Sequence, residues 1–85
     1  MKNQKIYNKY FLIVRKEISK TLRISESKVK LKSKFSNFKN WDSLAYINIV
    51  INLQKKTGKK FKLDSIADLE IVENWVNYLY ENEKK

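Results

Sequence analysis

Eighty-five residues with no proline and a single glycine, Gly58, contain almost nothing that would interrupt a helix. From 6 to 22 the apolar residues Tyr7, Tyr10, Phe11, Val14, Ile18 and Leu22 recur at steps of three and four. Lys9, Arg15, Lys16 and Lys20 lie mostly off that stripe, so the segment reads as an amphipathic helix. Between 24 and 41 the period is lost. Ser25, Ser27, Ser33 and Ser36 alternate with lysines, and Val29, Leu31, Phe35, Phe38 and Trp41 are irregularly spaced. This predicts a long connection pinned down by apolar side chains.

A second helix is expected over about 43–57, with Asp42 as its N-cap and Gly58 at the left-handed C-terminal position. Leu44, Tyr46, Ile47, Ile49, Val50, Ile51 and Leu53 make it apolar on nearly every side, as in a central helix packed on more than one face. The β-branched run Ile47–Ile51 would also suit a strand, but the caps and the length favour helix. Asp64 can cap a short turn at about 64–68. Leu69, Val72, Val76 and Leu79, widened by Trp75, mark a last helix over about 69–80, with a tail that should fray. The expectation is one all-α domain over 1–85.

Composition narrows the function classes. The chain has no cysteine and no histidine, so it offers no disulfide framework, no thiolate metal site and no imidazole base. Catalysis would depend on carboxylates, lysines or tyrosines alone, and no metal cluster, phosphate loop or nucleophile–base pair is visible. The expectation is therefore a protein that is not an enzyme. The tyrosines Tyr7, Tyr10, Tyr46, Tyr78 and Tyr80 are read as packing residues. No apolar run approaches the roughly 18 residues that span a bilayer, and no secretory apolar region follows the first lysines. A cytoplasmic protein with no membrane span is the expectation.

The formal net charge is +10. It is unevenly placed, because residues 1–39 hold twelve Lys/Arg against Glu17 and Glu26 while residues 40–85 balance to zero. Such a balance favours anionic partners, although abundant Lys, Asn and Ile also follow from an AT-rich coding sequence.

Chemistry concentrates where the long connection meets the second helix, at Asn40-Trp41-Asp42-Ser43-Leu44. A serine in the first turn of a helix holds its hydroxyl beside unsatisfied backbone N–H groups, where the helix dipole favours negative charge. A phosphate ester on that oxygen would sit where anions are stabilised. Asp42 can hold the turn, and Leu44 can pin the helix start.

The stretch Trp41-Asp42-Ser43-Leu44-Ala45-Tyr46-Ile47-Asn48-Ile49-Val50, followed by Leu53, Gly58 and Phe61, resembles the acyl carrier protein family over its central helix. Asp64-Ser65-Ile66-Ala67-Asp68-Leu69, with Val72 and Val76, is similar to that family's short third helix and last helix; the first helix matches by pattern only. The resemblance implies a four-helix bundle of acyl carrier protein type, with a long loop between helices 1 and 2 and a short third helix. It implies a 4'-phosphopantetheine arm attached to Ser43 by a phosphopantetheinyl transferase that recognises Asp42. The arm would carry an acyl or aminoacyl thioester to activating and transferring enzymes, with the carrier itself a monomer. Leu44, Ile47, Ile51 and Leu69 would form the partner surface. Leu44 and Leu69 suit core and partner contact equally, whereas Ile47 and Ile51 lean toward contact.

Three departures from the family stand out. Asn40 occupies a position that is often glycine, and asparagine tolerates the left-handed conformation. Ile71 stands where many members have a capping threonine, a role Asp68 could take one turn earlier. The central helix has no Asp or Glu after Asp42, where the family is typically acidic. Charge complementarity steers encounters and excludes wrong partners, so dedicated enzymes of a specialised or surface-polysaccharide pathway are expected rather than those of general fatty-acid synthesis. Two other readings remain open. One is a small basic nucleic-acid-binding protein using Lys28, Lys30, Lys32, Lys34 and Lys39 with Phe35, Phe38 and Trp41. The other is an unmodified adaptor on the carrier fold.

Overall fold

The first helix begins where Asn3 can cap it. In the computed structural model, which describes residues 3–61 and 70–82, α1 spans Gln4–Leu22. The Asn3 side chain accepts from the backbone N–H groups of Lys5 and Ile6, which starts the helix two residues ahead of the periodic stripe. The helix ends at Arg23, whose left-handed backbone (φ 57°) lets its N–H close on Ser19 O. Tyr7, Tyr10, Val14, Ile18 and Leu22 are buried as the stripe predicts. Glu17 is buried with them, and its Oε2 has no hydrogen-bond partner among the described residues. Its spacing of seven from Tyr10 and three from Val14 puts it on the edge of the buried stripe, although its charge argues for the surface.

The connection from α1 to the next helix is more regular than its sequence suggests. It contains two 3-10 turns, Glu26–Lys28 and Phe35–Asn37. Val29 and Phe35 are buried, and Ile24, Leu31, Phe38 and Trp41 pack partly against the core. The loop is also held through its backbone. Phe35 N–H donates to Glu70 O (2.9 Å), Val72 N–H to Ser33 O (3.0 Å) and Glu73 N–H to Leu31 O (2.8 Å). Lys34 and Ile71 thereby form a short antiparallel bridge.

Helix α2 spans Ser43–Thr57, as the caps predict. Asp42 Oδ1 accepts from Ala45 N–H at 2.8 Å, and Gly58 (φ 72°) closes the far end through its N–H to Gln54 O. Lys55 and Lys56 lie in the last turn, where the helix dipole favours cations. The expectation of burial on more than one face is corrected here. Ala45, Ile49, Val50 and Leu53 are buried, but Leu44, Ile47 and Ile51 are 67%, 50% and 41% exposed. Apolar residue type alone does not distinguish a second packed face from an exposed apolar one.

The last described helix, α3, spans Val72–Glu81 rather than beginning at 69. Glu70 and Ile71 are held in the extended pairing with the loop, so the helix cannot start before them. Ile71 is the N-cap residue and has no side-chain acceptor; instead Asn74 Oδ1 accepts from Ile71 N–H at 3.2 Å. The short helix expected at 64–68, and with it Asp68 and Leu69, lies outside the described residues.

The described residues make an all-α domain of three helices and two 3-10 turns, with no sheet. Both α2 and α3 pack on α1, and their interior is fully buried at Val14, Ile18, Ile49, Leu53, Val72, Trp75, Val76 and Leu79. No described helix is long and apolar enough to cross a membrane.

Candidate functional site

The turn into α2 is built by three consecutive residues with different tasks. Asn40 takes the left-handed conformation (φ 72°), and its side-chain amide donates to Leu22 O at 3.1 Å, tying the turn to the end of α1. Trp41 follows and stacks on Phe35 (4.9 Å between centroids, 17° between planes), with its ring against the edge of Tyr46 (5.5 Å). Asp42 then extends the backbone (φ −156°, ψ 178°) and caps the helix through its carboxylate. Each step sets the position of Ser43.

Ser43 is the first residue of α2 and is exposed. Its hydroxyl makes no hydrogen bond among the described residues, so the oxygen stands at a helix N-terminus without a structural duty there. Beside it opens a hollow of about 420 Å³, walled by Phe35, Trp41, Tyr46 and Glu70, with Asp42 and Ser43 on its rim. Burial pushes the Tyr46 phenol up from its usual range. An exposed hydroxyl at a positive helix end, bordered by a hollow, has room for a substituent. Among the described residues no lysine lines that hollow.

Leu44, Ile47 and Ile51 lie along the exposed side of the same helix, leading away from Ser43. Of the two roles open to Leu44, core is excluded, since two-thirds of it is exposed. Ile47 and Ile51 border a shallower hollow of about 250 Å³ with Tyr46, Val50, Gln54 and Phe61. Leu69 lies outside the described residues.

Three wall residues were not singled out as site residues in the sequence. Tyr46 is signalled by its position three residues after Ser43, on a neighbouring face of one helix. Phe35 and Glu70 arrive through the loop pairing, which leaves no local signal. Among the described residues no group of three or more Asp and Glu side chains comes together as a metal site.

The cap makes a measurable prediction. Asp42→Ala should cost about 1 kcal/mol in urea unfolding, within the roughly 0.5–2 kcal/mol range of lost N-caps. Asp42→Asn should recover most of that stability, because an amide oxygen also accepts from Ala45 N–H. Equal losses in both variants would remove the capping role. Neither a family model nor a curated protein matches the chain.

Proposed function

We propose that this chain is an acyl carrier protein that bears its cargo on a 4'-phosphopantetheine arm esterified to Ser43. The observation that carries the reading is the Ser43 hydroxyl, exposed and unengaged at the first position of α2 beside the capping Asp42. With coenzyme A as donor, the Ser43 oxygen bonds the pantetheine-side phosphorus, its proton is lost, and the pyrophosphate P–O bond breaks to release the 3',5'-bisphosphate of adenosine. The diester left on the serine gains from the helix dipole and the nearby backbone N–H groups. When bound, the arm supplies a thiol that holds an acyl or aminoacyl group as a thioester. Asp42 fixes the serine for the phosphopantetheinyl transferase, and Leu44, Ile47 and Ile51 offer that enzyme and later partners an apolar contact strip.

In this reading the short third helix expected at about 64–68 completes a four-helix bundle, Leu69 extends the contact strip, and the protein acts as a cytoplasmic monomer without catalytic activity. The partners are dedicated acyl- or aminoacyl-transferring enzymes. Support for this comes from α2, which presents Asn48, Lys55 and Lys56 and no carboxylate after Asp42. The nucleic-acid reading is weakened by the loop aromatics. Phe35 is buried, Trp41 is stacked on it and Phe38 packs against its edge, leaving no ring set out for bases.

Co-expression with a broad-specificity phosphopantetheinyl transferase, followed by intact mass measurement, tests the proposal. The wild type should gain one phosphopantetheine and Ser43→Ala none. An unmodified wild type would leave the adaptor reading in its place. The modified protein, offered to a housekeeping ketosynthase, should then turn over far more slowly than an acidic carrier does. Equal turnover would remove the dedicated partners.

A further inference from the structure

The loop between α1 and α2 gathers charge as well as aromatic rings. Lys28, Lys32, Lys34 and Lys39 are dispersed in the sequence, yet all four border one hollow of about 370 Å³, together with Ser33 and Asn37. The two 3-10 turns and the backbone pairing with residues 70–73 bring them together. All four are exposed. Lys32 is held by Glu73 at 2.6 Å, a contact that raises its pKa. Among the described residues no carboxylate pairs with Lys28, Lys34 or Lys39. Three lysines without a carboxylate partner among the described residues therefore border one concavity, and Glu73 is already engaged by Lys32.

We propose that this hollow binds a small polyanion carrying phosphoryl groups, held by Lys28, Lys34 and Lys39. Its size lies within the roughly 300–1,000 Å³ of small-ligand sites. Lysine ammoniums serve phosphate as point charges, and several converging on one hollow hold an anion that a lone surface lysine would not. A base-stacking polymer is disfavoured because the neighbouring rings are used in packing. Insertion into a lipid surface is disfavoured as well. The apolar residues bordering the hollow, Ile24 and Phe38, are themselves partly buried, and the largest exposed apolar side chains, including Leu44 and Ile47, project from helices.

The test is a titration of the full chain with sodium tripolyphosphate at about 0.1 M salt, read by calorimetry and by backbone amide shifts. Two charge-matched double variants accompany it. Lys34→Gln with Lys39→Gln empties part of the hollow, while Lys55→Gln with Lys56→Gln removes the same charge from the last turn of α2. Saturable binding is expected, weakened about tenfold or more in the first variant and by less than about twofold in the second, since exposed charges beyond a Debye length of about 10 Å are largely screened. Equal weakening in the two variants, or binding that does not saturate, would overturn the site. So would tighter binding of a single-stranded oligonucleotide through the same lysines.

A second arm uses vesicles of phosphatidylcholine with phosphatidic acid. Given saturable tripolyphosphate binding, pelleting that depends on Lys34 and Lys39 supports the site with a lipid headgroup as the phosphate source. A protein that stays in solution supports it with a soluble phosphate ester. Thermal unfolding of both variants should match the wild type, because the substituted side chains are exposed. The measurement needs no modification at Ser43, so its result is independent of the carrier proposal.

Discussion

Trp75→Ala should remove about 3–5 kcal/mol of stability, the cost of truncating a buried large aromatic. A domain of this length has in total about 4–13 kcal/mol, at roughly 0.05–0.15 kcal/mol per residue. The variant should therefore lose about a quarter or more of its total stability. Trp75 is fully buried, and its ring meets Phe35 from the loop (5.0 Å), Tyr46 from α2 (5.4 Å) and Phe61 (5.8 Å). Three separate segments thus close on one side chain of α3. Truncation leaves a cavity that none of them can fill without losing its other contacts. Urea unfolding followed by circular dichroism reads the loss. A midpoint within experimental scatter of the wild type would mean that the aromatic cluster is not the centre of the fold.

The second large effect separates two neighbours on one helix. Ile49→Ala should cost about 2–5 kcal/mol, because Ile49 is fully buried and its removal adds a cavity to the lost transfer energy. Ile47→Ala should change stability by no more than about 0.5 kcal/mol, as surface substitutions usually do. Its effect is expected in recognition. If Ile47 is an anchor of the partner surface, the initial rate of phosphopantetheine transfer should fall about tenfold, equivalent to about 1.4 kcal/mol. A stability loss in Ile47→Ala as large as that of Ile49→Ala would return Ile47 to the core. An unchanged transfer rate would remove it from the contact strip.

The helices were legible because their signals are local. The α1 stripe, the Asp42 cap and the Gly58 stop each depend on residues within one or two turns of one another, and all three stand in the structure. The setting of Ser43 was legible for the same reason, since a helix start is defined by its own cap. What the sequence did not disclose is non-local. The start of α3 is set by pairing with a loop more than thirty residues earlier, so periodicity placed it too early. Glu17 shares the spacing of the α1 stripe, seven after Tyr10 and three after Val14, but its charge pointed to the surface and only the packed structure shows it buried. The exposure of Leu44, Ile47 and Ile51 depends on which elements reach α2; the residue types alone pointed to burial, and only the family resemblance leaned Ile47 and Ile51 toward contact. The lysine hollow escaped for a related reason, as alternation along a loop does not show which side chains its turns will bring to one place.

The backbone pairing of Lys34 with Ile71 has a consequence for how the chain assembles. It fastens two points with α2 and the turn at Asn40 between them, so Ser43 lies inside a closed circuit of chain. Closing a circuit of that length costs on the order of 3 kcal/mol of entropy, rising only slowly with further residues. Neither half of the pairing can form much ahead of the contacts that offset this cost, chiefly the burial of Phe35 against Trp75. The hollow beside Ser43 is therefore complete only once this non-local pairing forms, because the pairing carries Phe35 and Glu70 into its wall. Added residues within the circuit would raise the closure cost only logarithmically.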